Sequence, residues 1–111
     1  MEIEMKMKVI LIVSILTLSA TNAFANHATN PTDAFKEAND QMMKDMMAPI
    51  SGNADKNFVM MMMPHHQGAI DMANIELKYG KDKKLRAMAQ AIIDAQKKEI
   101  EEMKKWTAAN P

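Results

Sequence analysis

The tightest constraint on this chain is a break of about two residues. Two long runs of helical periodicity extend from about Asn53 to Tyr79 and from Asp82 to about Trp106, and only Gly80-Lys81 separates them. A connection that short forces two helices into an antiparallel hairpin. Gly80 is a good residue to end one helix, and Asp82 is a good cap for the next. A shorter helix is predicted upstream, capped by Thr32 or Asp33 and running to about Met47, where Ala48-Pro49 stops it. Its inner stripe reads Phe35, Ala38, Met42 and Met46, with Met43 and Met47 alongside. Ser51 or Asn53 then caps the second helix. Nothing alternates with period two over a useful length, so no sheet is expected.

A wheel at about 100° per residue shows what the second helix needs. His65 shares one sector with Phe58, Met61, Met62, Ala69, Met72 and Tyr79, and with Gly68 and Glu76. His66 falls in a second apolar sector with Val59, Ala73 and Leu77. The polar edge is narrow: Gln67, Asp71, Asn74 and Lys78. An apolar arc so wide calls for at least two packing neighbours. The third helix offers Leu85, Met88, Ala89, Ile92, Ile100, Met103 and Trp106, with Gln96 and Glu99 set inside that stripe. Pairing outward from the turn sets residue i opposite about 162 − i, to within about one turn. His66 then faces Gln96, Met62 faces Ile100, and Glu99 lies a turn from both. Polar residues of one helix thus sit at the depth of the histidines of the other, and that coincidence marks a candidate site.

The start of the chain reads as an export signal. Lys6 and Lys8 precede a mostly apolar run, Val9 to Leu18, and Ala23-Phe24-Ala25 gives the small-x-small pattern of a cleavage site. The run is shorter than the ~20 residues of a membrane-spanning helix. Cleavage after Ala25 and a periplasmic location are expected, without stable membrane insertion afterwards. On this reading residues 1–25 are a signal peptide, 26–31 a disordered leader and 32–107 a helical metal-binding domain. The chain has no Cys, which excludes a lipid-anchored lipoprotein and leaves an exported domain without disulfides. His27, near the new amino terminus, could chelate Cu(II) but belongs to the polar leader. Residues 26–111 carry twelve basic and twelve acidic side chains, a balance that argues against a nucleic-acid partner. They also hold eleven of the fourteen methionines.

That excess is densest in "NFVMMMMPHHQGAIDMA", Asn57 to Ala73. Adjacent helical residues point about 100° apart, so His65 and His66 do not grip one ion together. The i, i+4 histidine pair of zinc proteases is missing. Each histidine must use its own neighbours: Met61 and Met62 for His65, Met62 and Met63 for His66, with Met62 in reach of both. Thioethers with imidazole favour Cu(I), and by the same softness Ag(I), over Zn, Mg or Mn. Methionine also serves as a soft ligand that forms no disulfide in an oxidising compartment. The first-choice ligands are His65, Met61, Met62 and Met72, followed by His66. Met103, Met42 and Met46 extend the set. Gln96 and Glu99 are read as hydrogen-bond partners that orient the histidines rather than as ligands. Pro64 leaves the Met60 carbonyl without its helical donor, so the helix should kink there or restart with Pro64 in its first turn. The plain alternative for the methionines is core filling, and for the lysines a solvated helix surface.

"MMMPHHQGAIDMA" followed by "LRAMAQAIIDAQKKEIEEMKKW" resembles a bacterial domain-of-unknown-function family of the ferritin-like group. The matching residues are Pro64, His65, His66, Gly68, Ala69, Met72 and Ala73, then Gln96, Glu99, Ile100, Met103 and Trp106. Exported members are similar to CopM-type periplasmic copper-binding proteins. The resemblance implies a four-helix-bundle, ferritin-like fold and Cu(I) or Ag(I) binding through Met and His. Because many members carry two copies of the domain, it also implies that a second subunit could complete the bundle of this single copy. The expectation is therefore an all-α, three-helix ferritin-like bundle built on a long hairpin, able to form a homodimer. Its function would be copper buffering, delivery or resistance, with components of a copper exporter or oxidase as partners. A di-iron oxidase would need inward Glu-x-x-His pairs, and residues 62 and 63 are both Met. A metal-independent stress chaperone with a Met-rich client surface is the other reading.

Overall fold

The computed structural model describes residues 29–111; the expected signal peptide, its cleavage site and His27 lie outside them. The described residues form three α-helices and no strand: α1 (Pro31–Asp45), α2 (Ala54–Tyr79) and α3 (Lys83–Ala109). The all-helical class is as expected. Three helices among the described residues match the expected count, and differ from the four-helix bundle that the resemblance implied.

Local chemistry explains each boundary. Asn30 caps α1, accepting from the Asp33 backbone N–H at 2.9 Å and donating to the Asp33 carboxylate at 2.7 Å. The cap thus precedes both expected residues, Thr32 and Asp33, because Pro31 suits the first helical position, where its missing N–H costs nothing. Asn53 caps α2, accepting from the Lys56 N–H at 3.0 Å. Ser51, the other cap candidate, instead donates its N–H to the Asn57 side chain at 2.8 Å and folds the preceding turn. α2 continues unbroken through Pro64, so the restart at that residue does not occur. Asp82 caps α3 through the Leu85 N–H at 2.9 Å, and α3 continues three residues past Trp106.

Gly80 ends α2 as expected, but not through left-handed backbone: its φ is −70°. It is needed for room, since a Cβ there would lie 2.6 Å from the Glu76 carbonyl oxygen. Arg86, the chain's only arginine, closes the same turn by donating to the carbonyls of Leu77 at 2.5 Å and Gly80 at 3.1 Å. These are the carbonyls a helix end leaves without partners. At the far end Lys56 donates to the Pro111 oxygen at 2.9 Å, so the hairpin stays antiparallel along its length.

The core is the seam of this hairpin. Ile70 and Ala73 of α2 are buried against Ala89, Ile93 and Ile100 of α3, with Leu77 and Met103 packed beside them. On α2 the seam positions are 59, 63, 66, 70, 73 and 77; on α3 they are 86, 89, 93, 96, 100 and 103. Alternating steps of three and four are the spacing of a coiled-coil seam. The line through Ile93 turns Leu85 and Met88, expected in the stripe, to the surface at 50 % exposure each. α1 packs on α2 through buried Ala34 and Ala38, and no α1–α3 pair of Cα atoms comes within 8 Å. α2 therefore has the two neighbours its wide apolar arc called for. They approach from sides about 160° apart on the wheel, at Gly68 and at the Ile70 seam. Between them a strip of α2 stays open.

Candidate metal centre

The open strip carries His65. Phe58, Met61, Met62 and Met72 share that sector and are 59 %, 36 %, 37 % and 40 % exposed, and His65 itself is exposed. Phe35 from α1 and Leu85, Met88 and Ile92 from α3 form the walls of a cavity with Met72 on its floor. Of the first-choice ligands, Met72 thus lies in an open cavity, and His65, Met61 and Met62 are on the exposed strip rather than in a sealed interior.

α1 delivers another sulfur to this strip. Gly68 stands one turn after His65 and one turn before Met72, and a Cβ at Gly68 would lie 2.6 Å from the Met42 Sδ. Only a glycine lets the Met42 thioether settle that far onto α2. Met46, one turn along α1, is partly buried, whereas Met43 and Met47 are 53 % and 84 % exposed. Met42 is therefore seated on the His65 stripe at Gly68, while Met43 and Met47 face away from the interior.

His66 turns the other way. It lines a groove of about 510 Å³ between α2 and α3, together with Val59, Met62, Glu99, Met103 and Trp106. A carbonyl can only accept, so the ring Nδ1–H donates to the Met62 carbonyl oxygen at 2.8 Å. The other ring nitrogen, Nε2, meets the Glu99 carboxylate. Ligation by His66 must displace that carboxylate, whose side chain is 54 % exposed and free to swing out. Glu99 lies on the expected register to within a turn, while Gln96 makes no bond to the ring. The Gln96 Oε1 is buried and has no hydrogen-bond partner.

The two adjacent histidines are thus divided between two faces of α2, as a 100° step requires. Met62, exposed on the strip and also lining the groove, is the residue between them. Among the described residues no three His, Cys, Asp or Glu side chains converge on one point. The donors on each face are thioethers with a single imidazole: Met61, Met62 and Met72 share the His65 sector, and Met62 and Met103 line the His66 groove. Asp71, on the polar edge, is half-buried; desolvation holds its carboxyl above the ordinary 3.8, Asp45 of α1 adds repulsion, and a hydrogen bond from Gln67 opposes both. Helical spacing alone does not reveal the role of Gly68. A glycine inside a helical run was the available signal, since it commonly marks a close approach.

The fold and these two faces define an all-helical protein whose central helix presents thioethers with imidazole to solvent. The chain belongs to the family of a domain of unknown function, DUF305, whose profile matches residues 6–107. A comparison with curated proteins finds no match. No helix among the described residues is long and apolar enough to cross a membrane.

Proposed function

We propose that the protein binds Cu(I), and Ag(I) by the same chemistry, serving copper buffering, delivery or resistance after export to the periplasm. The observation that carries this reading is the seating of the Met42 sulfur on Gly68, between His65 and Met72 along α2. Two helices then contribute thioethers around one imidazole, with Met61 and Met62 a turn away. Soft, uncharged donors of this kind select a soft monovalent ion. Exposure of 36–40 % at Met61, Met62 and Met72 leaves room for a second protein to take the ion by ligand exchange, which fits delivery to an exporter or oxidase component. The reading extends to a ferritin-like arrangement in which a second copy covers the open strip. The test is a Cu(I) titration of the purified protein against a competing chelator. His65→Ala should weaken binding by about tenfold or more, since even loss of a ligand's hydrogen-bond partner costs that much. Unchanged affinity after replacing both histidines with Ala overturns the assignment.

A second reading has its own support. Phe58 at one end of the hairpin, and Leu85 and Met88 at the other, are half-exposed or more, apolar side chains that a chaperone could offer to clients. Suppression of aggregation that persists in chelator, in a protein without copper affinity, would favour it.

A further inference from the structure

We infer that the α2–α3 groove is a second soft-cation site, in which Met62, Met103 and His66 are the donors and the indole of Trp106 supplies a cation–π face. The inference rests on the Cu(I) reading above and adds to it a separate place, a fourth contributor and a distinct signal.

Three features of the groove support this assignment. The first is placement. Met62 and His66 are one turn apart on α2, Met103 and Trp106 are one turn apart on α3, and all four line the same groove. Two thioethers and one imidazole leave one side of a small ion open, and Trp offers the most favourable aromatic face for a cation.

The second is the ring of His66. Its Nδ1–H is held by the Met62 carbonyl, so Nε2, the nitrogen against Glu99, is the one left to take a metal ion, which must displace the carboxylate and the proton between them. Fixing one imidazole nitrogen on a carbonyl is how protein scaffolds orient a metal-binding histidine. Glu99, now on Nε2, can rotate outward and remain as an outer partner of the bound ion.

The third is charge. Asp55, Glu99 and Glu102 line the groove and no Lys or Arg does. Even with His66 counted as a cation, the groove lacks positive charge. A monovalent metal ion supplies it while leaving the neutral sulfurs as ligands, which is the preference of Cu(I) and Ag(I) rather than Zn(II).

Trp106 is the chain's only tryptophan, so its emission reports this groove and not the His65 strip. The experiment titrates Ag(I) into the full chain as isolated, following Trp emission alongside binding measured by competition. Emission should fall saturably in the wild type and equally in His65→Ala, which loses only the other site. His66→Ala and the near-isosteric Met103→Leu, each checked for helix content, should move the quench to Ag(I) concentrations about tenfold higher or more. Trp106→Leu should weaken the site by about fivefold in the competition assay. Emission unmoved while Ag(I) binds overturns the inference and leaves the His65 reading standing. A quench that survives both His66→Ala and Met103→Leu overturns it as well, as does one that Zn(II) produces at lower concentration. Absence of any Ag(I) binding overturns the Cu(I) reading and this site together.

Discussion

His66 and Glu99 meet between α2 and α3, imidazole Nε2 against carboxylate, while Nδ1 of the same ring donates to the Met62 carbonyl at 2.8 Å. The pair is lopsided in exposure: the His66 side chain is 16 % exposed and that of Glu99 54 %. Water reaching the carboxylate screens the interaction, so it should behave more like a surface pair than a buried one. A double-mutant cycle of His66→Ala and Glu99→Ala, read by urea denaturation, should give a coupling energy of about 1 kcal/mol or less. A coupling of about 3 kcal/mol would mean that the pair is desolvated and that metal entry at His66 is correspondingly opposed.

Gly68 sets two effects against each other. In an exposed helix Gly→Ala gains about 0.5–1 kcal/mol. Here the new Cβ would meet Met42 at Sδ (2.6 Å), Cγ (3.1 Å) and Cβ (3.3 Å), so rotating the side-chain tip does not clear it. Overpacking of this kind costs about 1–3 kcal/mol. Gly68→Ala should therefore lower stability, with the loss concentrated at the α1–α2 joint. Hydrogen exchange checks this: amides of α1 should exchange faster, while those of the α2–α3 seam change little. Uniformly slower exchange would show that Met42 has another resting place.

Gln96 occupies a seam position but leaves a buried Oε1 without a partner. An unmatched buried acceptor costs about 1–3 kcal/mol, whereas an apolar group of similar size costs nothing of the kind. Gln96→Leu should raise the urea midpoint without changing the slope of the transition. A loss of stability would show that the amide has a partner in solution.

The hairpin could be read directly from the sequence because Gly80 and Asp82 are strong, adjacent signals with little room for an alternative. The divergence of His65 and His66 was equally readable, since it follows from the helical step alone. The start of α1 was not: Asn30, Thr32 and Asp33 are all competent caps, and the fit of Pro31 to the first helical position decides among them. The α3 stripe was legible at Ala89, Ile92, Ile100 and Met103 but not at Leu85, Met88 or Ile93, for a related reason. Ile92 and Ile93 begin two overlapping apolar faces, and only packing against α2 selects the one through Ile93. Gly68 signals a close approach in sequence, but not that Met42 makes it.

Asp71 allows a pH-dependent test of the α1–α2 joint. Burial holds its carboxyl above 3.8, with Asp45 of α1 adding like charge and the 3.0 Å hydrogen bond from Gln67 acting the other way. The folded state therefore holds the proton more tightly than the unfolded chain. Folding gains nothing from this group below about 3.8; as pH rises through its raised value the ionised carboxylate becomes a penalty, complete at neutral pH. Asp71→Asn keeps an acceptor for Gln67 and removes the charge. Its Tm should exceed that of the wild type at pH 7, and the gap should close as the pH falls below the ordinary carboxylate value. Thermal melts by circular dichroism across that range decide the matter. A gap that stays constant with pH would show that the amide acts through shape rather than charge, and a lower Tm at pH 7 would show that the carboxylate has a stabilising partner.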